Sequence, residues 1–296
     1  MKTMMFVIGL VFLGMTTGVK AQEYSLKDVV HFKKMMSQGH ERLTSEIIEK
    51  EYLIKGTKGV EIFTPNRIIN AENMAKKIAA DPAAYEKALR VCLPGARLVE
   101  AEAFTILGNV KRLLQQEKSA PTYIVLGGNN SGGTASGEGF TLGLEVICGF
   151  VDTPEQAGEL IKTFVAHEVV HVYQAWVITE GESLLYLTLK EGFADFIANL
   201  VIGEVSASEK ERHDYGMKNE ARIWQKFQKE MAGTSYKYWM YGAGRDDQPA
   251  DMGYWLGKRI AEAYYKNARD KQQALQDLLY LKNPKDILVK SGYNPG

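Results

Sequence analysis

The sequence predicts an α+β fold, a mostly helical body carrying a small twisted sheet. Three observations lead to it. From Asp28 to about Ser119, apolar residues recur at three- and four-residue steps, as in Ala71-Glu-Asn-Met-Ala-Lys-Lys-Ile and Ala84-Tyr-Glu-Lys-Ala-Leu-Arg-Val. That is the period of helices with one buried face. Two strand-like segments, Thr122–Leu126 and Phe140–Ile147, then flank a glycine-rich stretch. After them the pattern returns to helices. Hydrophobic residues at 45% and charged residues at 24% of 296 are enough to build a sizeable core.

Taken in order, the chain opens like an export signal. Lys2 precedes the apolar run Met4–Met15, and Val19 and Ala21 form a small-x-small cleavage site before Gln22. Residues 1–21 are therefore expected to be removed and the protein to be exported, periplasmic or secreted. The run is short for a bilayer span, and no later segment is apolar enough to cross one. Residues 22–120 form an N-terminal helical region punctuated by Pro65, Pro82 and Pro94. Cys92 and Cys148 are the only cysteines; they fit either one disulfide in an oxidising compartment or two buried thiols.

Residues 121–202 are expected to be the catalytic core. The Gly127–Gly139 stretch lacks the Gly-Lys-Ser/Thr ending of a phosphate loop, so it reads as a hairpin or the rim of a site. Thr153 as N-cap, Pro154 at the first helical position and Gln156 closing a capping box start a helix that runs to about Trp176. A second helix spans about Leu184–Val201. Residues 203–296 are expected to form a C-terminal helical lobe, with a helix over about Met252–Ala268 and then a short tail. Lysine plus arginine equal aspartate plus glutamate at 36 each, which gives no electrostatic footprint for nucleic acid and none for a basic membrane surface.

The capped helix contains His167-Glu168-Val169-Val170-His171. Residues four apart lie one turn along the same face, so both imidazoles can reach one ion, and Glu168 can act on a water beside it without being a ligand. A catalytic zinc site needs a third protein ligand and an open position. Gln174 and Val177 stand where a metzincin needs glycine and histidine, which excludes that class. Glu191, in Glu191-Gly-Phe-Ala-Asp195, is the preferred third ligand, because its helix is apolar around it and the connection lets it fold back. Asp195, one turn on, is placed to accept the outer N–H of a ligating histidine. Glu180 and Glu182, in the connection, are the rival ligands.

His-Glu-x-x-His followed by Glu-x-x-x-Asp resembles the gluzincins, the thermolysin-like clan of zinc peptidases. The chain is also similar to a bacterial family described as predicted Zn-dependent proteases, which shares His-Glu-x-x-His, Glu-Gly-x-Ala-Asp and a later Gly-Tyr-x-x-Gly. Here these are His167–His171, Glu191–Asp195 and Gly253–Gly257, and the stretch Glu51–Phe63 is similar too. The resemblance implies a zincin-like fold with the site in a cleft between two lobes, Zn2+ held by His167, His171 and Glu191, and Glu168 as general base. It also implies an oxyanion donor in the C-terminal lobe, for which Tyr254 is the candidate by its place in Gly-Tyr-x-x-Gly. Tyr241, His213 and Arg259 are the alternatives. Zincins pair extended substrate with an edge strand, and Thr141–Glu145 is the expected one, unless it is an ordinary inner strand.

The expected function is therefore hydrolysis of a peptide or protein substrate. Two other functions share these residues: a zinc hydrolase acting on a non-peptide amide, and a non-catalytic binding or scaffold protein. Glu168 argues against the last, since no structural need calls for a carboxylate there.

Overall fold

The computed structural model describes residues 24–176, 183–203, 207–242 and 247–296. The expected signal segment and the rival ligands Glu180 and Glu182 lie outside the described residues. The chain is mostly helical with one small mixed sheet, as an α+β fold requires. The sheet has the order β1-β2-β4-β3, with β1 Tyr24–Ser25, β2 Thr122–Val125, β3 Gly133–Ser136 and β4 Gly139–Gly143. β1 and β4 both run parallel to β2, and β3 returns antiparallel to β4. β2 and β4 are buried along their whole length, as inner strands covered on both faces are, whereas β3 stays partly exposed.

Two expectations about this sheet are corrected. The second strand ends at Gly143 instead of Ile147, and Leu144–Cys148 turns into a short helix. The turn sends Glu145 inward, where its Oε1 accepts the backbone N–H groups of Gly127 and Asn129, both at 3.0 Å. Satisfying two buried donors favours the turn over a longer strand. The segment Thr141–Glu145 is also not an edge, because β4 is paired on both sides. Among the described strands the edges are β1 and β3, and β3 is the one that packs on the helix Pro154–Ala175.

The N-terminal helices are tied to the sheet by buried phenols. Tyr52 donates to the Leu126 carbonyl at 2.7 Å and Tyr85 to the Gly127 carbonyl at 2.9 Å, so both hold the exit of β2. Cys92 and Cys148 form a disulfide with a Cα–Cα distance of 5.8 Å, joining this region to the short helix after β4.

Two long helices carry the motifs. The first, Pro154–Ala175, has the expected capping box between Thr153 and Gln156. The second, Leu184–Ile202, is capped by Ser183. It crosses the helix Met252–Asn267 at Gly192 and Gly257, where a Cβ on Gly192 would lie 2.1 Å from the Gly257 carbonyl carbon. Backbone meets backbone there, which only glycine allows. After residue 268 the expected tail instead holds two helices, Lys271–Tyr280 and Pro284–Ser291. Asp270 and Asn283 cap them, and Pro284 sits at the first position of the second. The C-terminal region, expected to be helical, also holds the helix Ala207–Glu230, whose φ/ψ break at Asn219. Among the described residues, no helix is long and apolar enough to cross a membrane.

Candidate metal centre

The first long helix buries Val165, Ala166, Val169, Val170, Val172 and Tyr173 completely. That packing fixes the rotation of the helix and turns His167 and His171 toward the second helix. Their Nε2 atoms lie 3.0 Å apart. Glu191 Oε2 lies 3.0 Å from His171 Nε2 and 3.3 Å from His167 Nε2. Four ligands at 2.0–2.1 Å around a tetrahedral zinc are about 3.3 Å from one another. Two imidazole nitrogens and a carboxylate oxygen in so close a triangle are a donor set that zinc favours. Among the described residues this is the one convergent group of three such side chains.

Both histidines are held from behind. His167 Nδ1 lies 2.8 Å from Asp195 Oδ1, the placement the sequence suggests. His171 Nδ1 lies 2.7 Å from Gln174 Oε1, and Gln174 Nε2 donates to the Lys190 carbonyl at 3.1 Å. With each Nδ1–H donating outward, each Nε2 lone pair faces the centre. Gln174 is a partner that the sequence reading missed. Its signal was the three-residue step from His171, which puts both on one helix face.

The charges suit a cation. Burial opposes a proton on His167, but Asp195 and Glu191 more than offset it and hold the imidazole well above its usual pKa. Burial would raise the pKa of Glu191, but His171 and His167 prevail and keep it below the carboxylate range. The negative field that favours a proton on the rings favours a divalent ion equally.

Glu168 is buried beside the triangle. Burial raises its pKa above that of a free carboxyl, while the two histidines pull it down, as does Arg67. Gly133 of β3 packs directly on it: a Cβ there would sit 2.2 Å from Glu168 Oε1. The edge strand thus runs alongside Glu168.

The C-terminal lobe brings two tyrosines. The Tyr254 ring stacks on His167 with centroids 6.2 Å apart and 27° between planes. The Tyr241 ring meets Tyr254 edge-on at 6.4 Å, and the Glu191 charge acts on its phenol. Desolvation, reinforced by Glu191, raises the pKa of each phenol. Tyr241 is nonetheless 55% exposed and adopts a φ of 62°. Asp251 braces its turn, accepting the Gly242 N–H at 2.7 Å. His213 lines a small cavity with Asp195, Glu209, Arg212, Trp255 and Lys258, which contains none of the three candidate ligands. Arg259 is spent on Glu220 and Glu262.

Residues 109–284, more than half of the chain, match the family described as Predicted Zn-dependent protease (DUF2268). No curated protein and no solved structure matches the chain. The matched stretch contains the histidines, Glu168, Glu191, Asp195 and both tyrosines, and it excludes Arg67.

Proposed function

The chain belongs to the predicted Zn-dependent protease family, and we propose that it is an exported zinc peptidase of the gluzincin type. The observation that carries this reading is the His167–His171–Glu191 triangle with Glu168 packed against it. Zinc held there would supply a Lewis acid that acidifies water and polarises a scissile carbonyl. Glu168 is the general base: its raised pKa suits taking a proton and returning it to the leaving amine. Asp195 and Gln174 hold the two imidazoles in the tautomer that presents Nε2.

Tyr241 takes the oxyanion-donor role in this reading in preference to Tyr254. Tyr241 is half exposed and within the field of Glu191, whereas the Tyr254 ring is used in stacking on His167. Preorganised donors of this kind are typically worth about 10²- to 10³-fold in rate. A peptide is favoured over a small amide by the free edge of β3, whose backbone can pair with an extended chain right beside Glu168. The disulfide supports export, because such bonds persist in oxidising compartments.

The test is metal analysis and peptide hydrolysis by the purified protein and its Glu168→Gln variant. The variant should keep about one zinc per chain and lose about 10²- to 10⁴-fold in turnover. Equal cleavage by both proteins refutes the assignment of the base. Intact mass of the protein recovered outside the cytoplasm tests export; retention of Met1–Ala21 on it refutes removal of the leader.

A further inference from the structure

Arg67 lies outside the family match, a hundred residues before His167 in sequence, yet it shares the space of the site. Its positive charge acts on both Glu168 and Tyr241. Its Nε donates to Thr134 Oγ1 at 3.0 Å, and that hydroxyl in turn donates to the Gly133 carbonyl at 2.8 Å. Arg67 is thus anchored on the edge strand one residue from the glycine that packs on Glu168.

The backbone of Arg67 is held as firmly. Its carbonyl accepts Asn130 Nδ2 at 3.1 Å, and Gly128 packs so close that a Cβ there would lie 2.3 Å from that oxygen. Ile69 closes the turn at φ 70°, with the Asn70 N–H donating to the Ile68 carbonyl at 2.9 Å. A β-branched residue rarely adopts that φ, so the turn persists because its surroundings impose it.

Neighbouring cations are already engaged. Arg212 faces Asp251, Lys258 pairs with Glu209, and Arg259 binds Glu220 and Glu262. Among the described residues Arg67 has no ion-pair partner and its guanidinium donates through Nε alone. With respect to those residues, four N–H donors on the terminal nitrogens are left, in the fork that fits a carboxylate.

We propose that Arg67 receives a carboxylate of the peptide substrate, and that this carboxylate is the free C-terminus of a chain laid along β3, making the enzyme one that trims C-terminal segments. The inference rests on the peptidase reading given above. The edge strand supplies the reason for the C-terminus: a main chain paired to β3 brings its own end to a fixed place, whatever its side chains.

The experiment uses one fluorogenic peptide as free acid and as C-terminal amide, each with and without an internal glutamate. It is run on the zinc-loaded parent, Arg67→Ala and Arg67→Lys. Charge-assisted pairing predicts that the parent favours the free acid by about 10- to 100-fold in kcat/KM, mostly through KM. Arg67→Ala should abolish that preference and Arg67→Lys restore part of it. Sensitivity to the glutamate but not to amidation keeps Arg67 as the carboxylate receptor and moves the source to a side chain. Insensitivity to both overturns the proposal. Thr134→Val, which loosens the guanidinium without removing it, should weaken the preference; it keeps the test open if Arg67→Ala misfolds. The same peptides are also titrated against the Glu168→Gln protein by fluorescence polarisation. If the parent cleaves nothing, the peptidase reading fails, and this arm alone judges Arg67. An acid-over-amide difference lost on adding Arg67→Ala sustains its role, and no difference, or no binding, overturns it.

Discussion

Gly257→Ala tests how Glu191 is delivered to the centre. Glu191 reaches the histidines only because its helix sits against the helix Met252–Asn267 with no side chain between them at Gly192 and Gly257. A Cβ on Gly257 would lie 1.8 Å from the Thr188 carbonyl oxygen and 3.1 Å from the Gly192 Cα. Real contacts of that kind seldom fall below about 3.0 Å, so the helices must part by roughly 1.2 Å at the turn that ends in Glu191. The metal triangle has sides of only 3.0–3.3 Å, so it cannot absorb that shift. Overpacking against backbone costs about 3 kcal/mol, and alanine's better helix propensity returns about 1 kcal/mol. The net loss of about 2 kcal/mol lowers the melting temperature by roughly 4–8 °C for a chain of this size. Zinc affinity, measured by competition with a chelator, should fall at least about tenfold, since partners that orient a ligand are worth about 10- to 100-fold. Parental zinc affinity together with a melting point within a degree of the parent would refute the reasoning.

The remaining predictions are independent of that crossing. Asp195→Asn should weaken zinc binding by about 10- to 100-fold in the same competition assay while leaving the fold intact by circular dichroism. Tyr241→Phe should lower kcat by about 10²-fold or more with zinc content unchanged, and Tyr254→Phe, which keeps the stacked ring, should change kcat far less. Glu145 is fully buried, and burial pushes its pKa up to about 7 from an ordinary 4.5, against the pull of the backbone N–H groups it accepts. Its protonated form is the one the fold prefers, so its contribution is full below about pH 4.5 and is lost as pH rises toward 7. The loss amounts to about 3 kcal/mol. Glu145→Gln should remove that slope from urea midpoints measured at pH 4.5 and 7.5, and parallel curves for parent and variant would show that it does not titrate in this range. Reduction or serine replacement of the Cys92–Cys148 bridge, which spans 56 residues, should cost about 4 kcal/mol on loop entropy alone, read as a lower urea midpoint.

What the sequence made legible is what short-range geometry governs. The four-residue step between His167 and His171, and between Glu191 and Asp195, fixes a shared helix face wherever the helix lies. Thr153, Pro154 and Gln156 announce the start of that helix with no reference to the rest of the fold. The same logic was available at Asp270 and at Asn283-Pro284, whose caps mark the two C-terminal helices, but the short apolar spans behind them gave a weak period. Strand order was not available at all. Thr141 and its neighbours alternate no differently in an inner strand than in an edge one, and what makes the strand inner is its pairing with Tyr123 on one side and Thr134 on the other.

The rest of the site was hidden for a related reason. Tyr241 sits outside any periodic segment, at a positive φ that Asp251 braces through Gly242. Tyr254 has the motif and Tyr241 has the position, because the glycines of Gly-Tyr-x-x-Gly serve the helix crossing: Gly253 packs on Met240 and Gly257 on Thr188. Those glycines explain the motif's spacing by packing alone, without requiring the tyrosine between them to donate to substrate. Arg67 goes further still. It comes from a turn in the N-terminal region, and only Thr134 on β3 brings it to Glu168. The family-matched part of the chain therefore carries the candidate ligands and the proposed base, and the N-terminal part carries the proposed carboxylate receptor. Comparing the zinc affinity and the acid-over-amide preference of one set of variants separates the two contributions: Gly257→Ala should shift the first, Arg67→Ala the second.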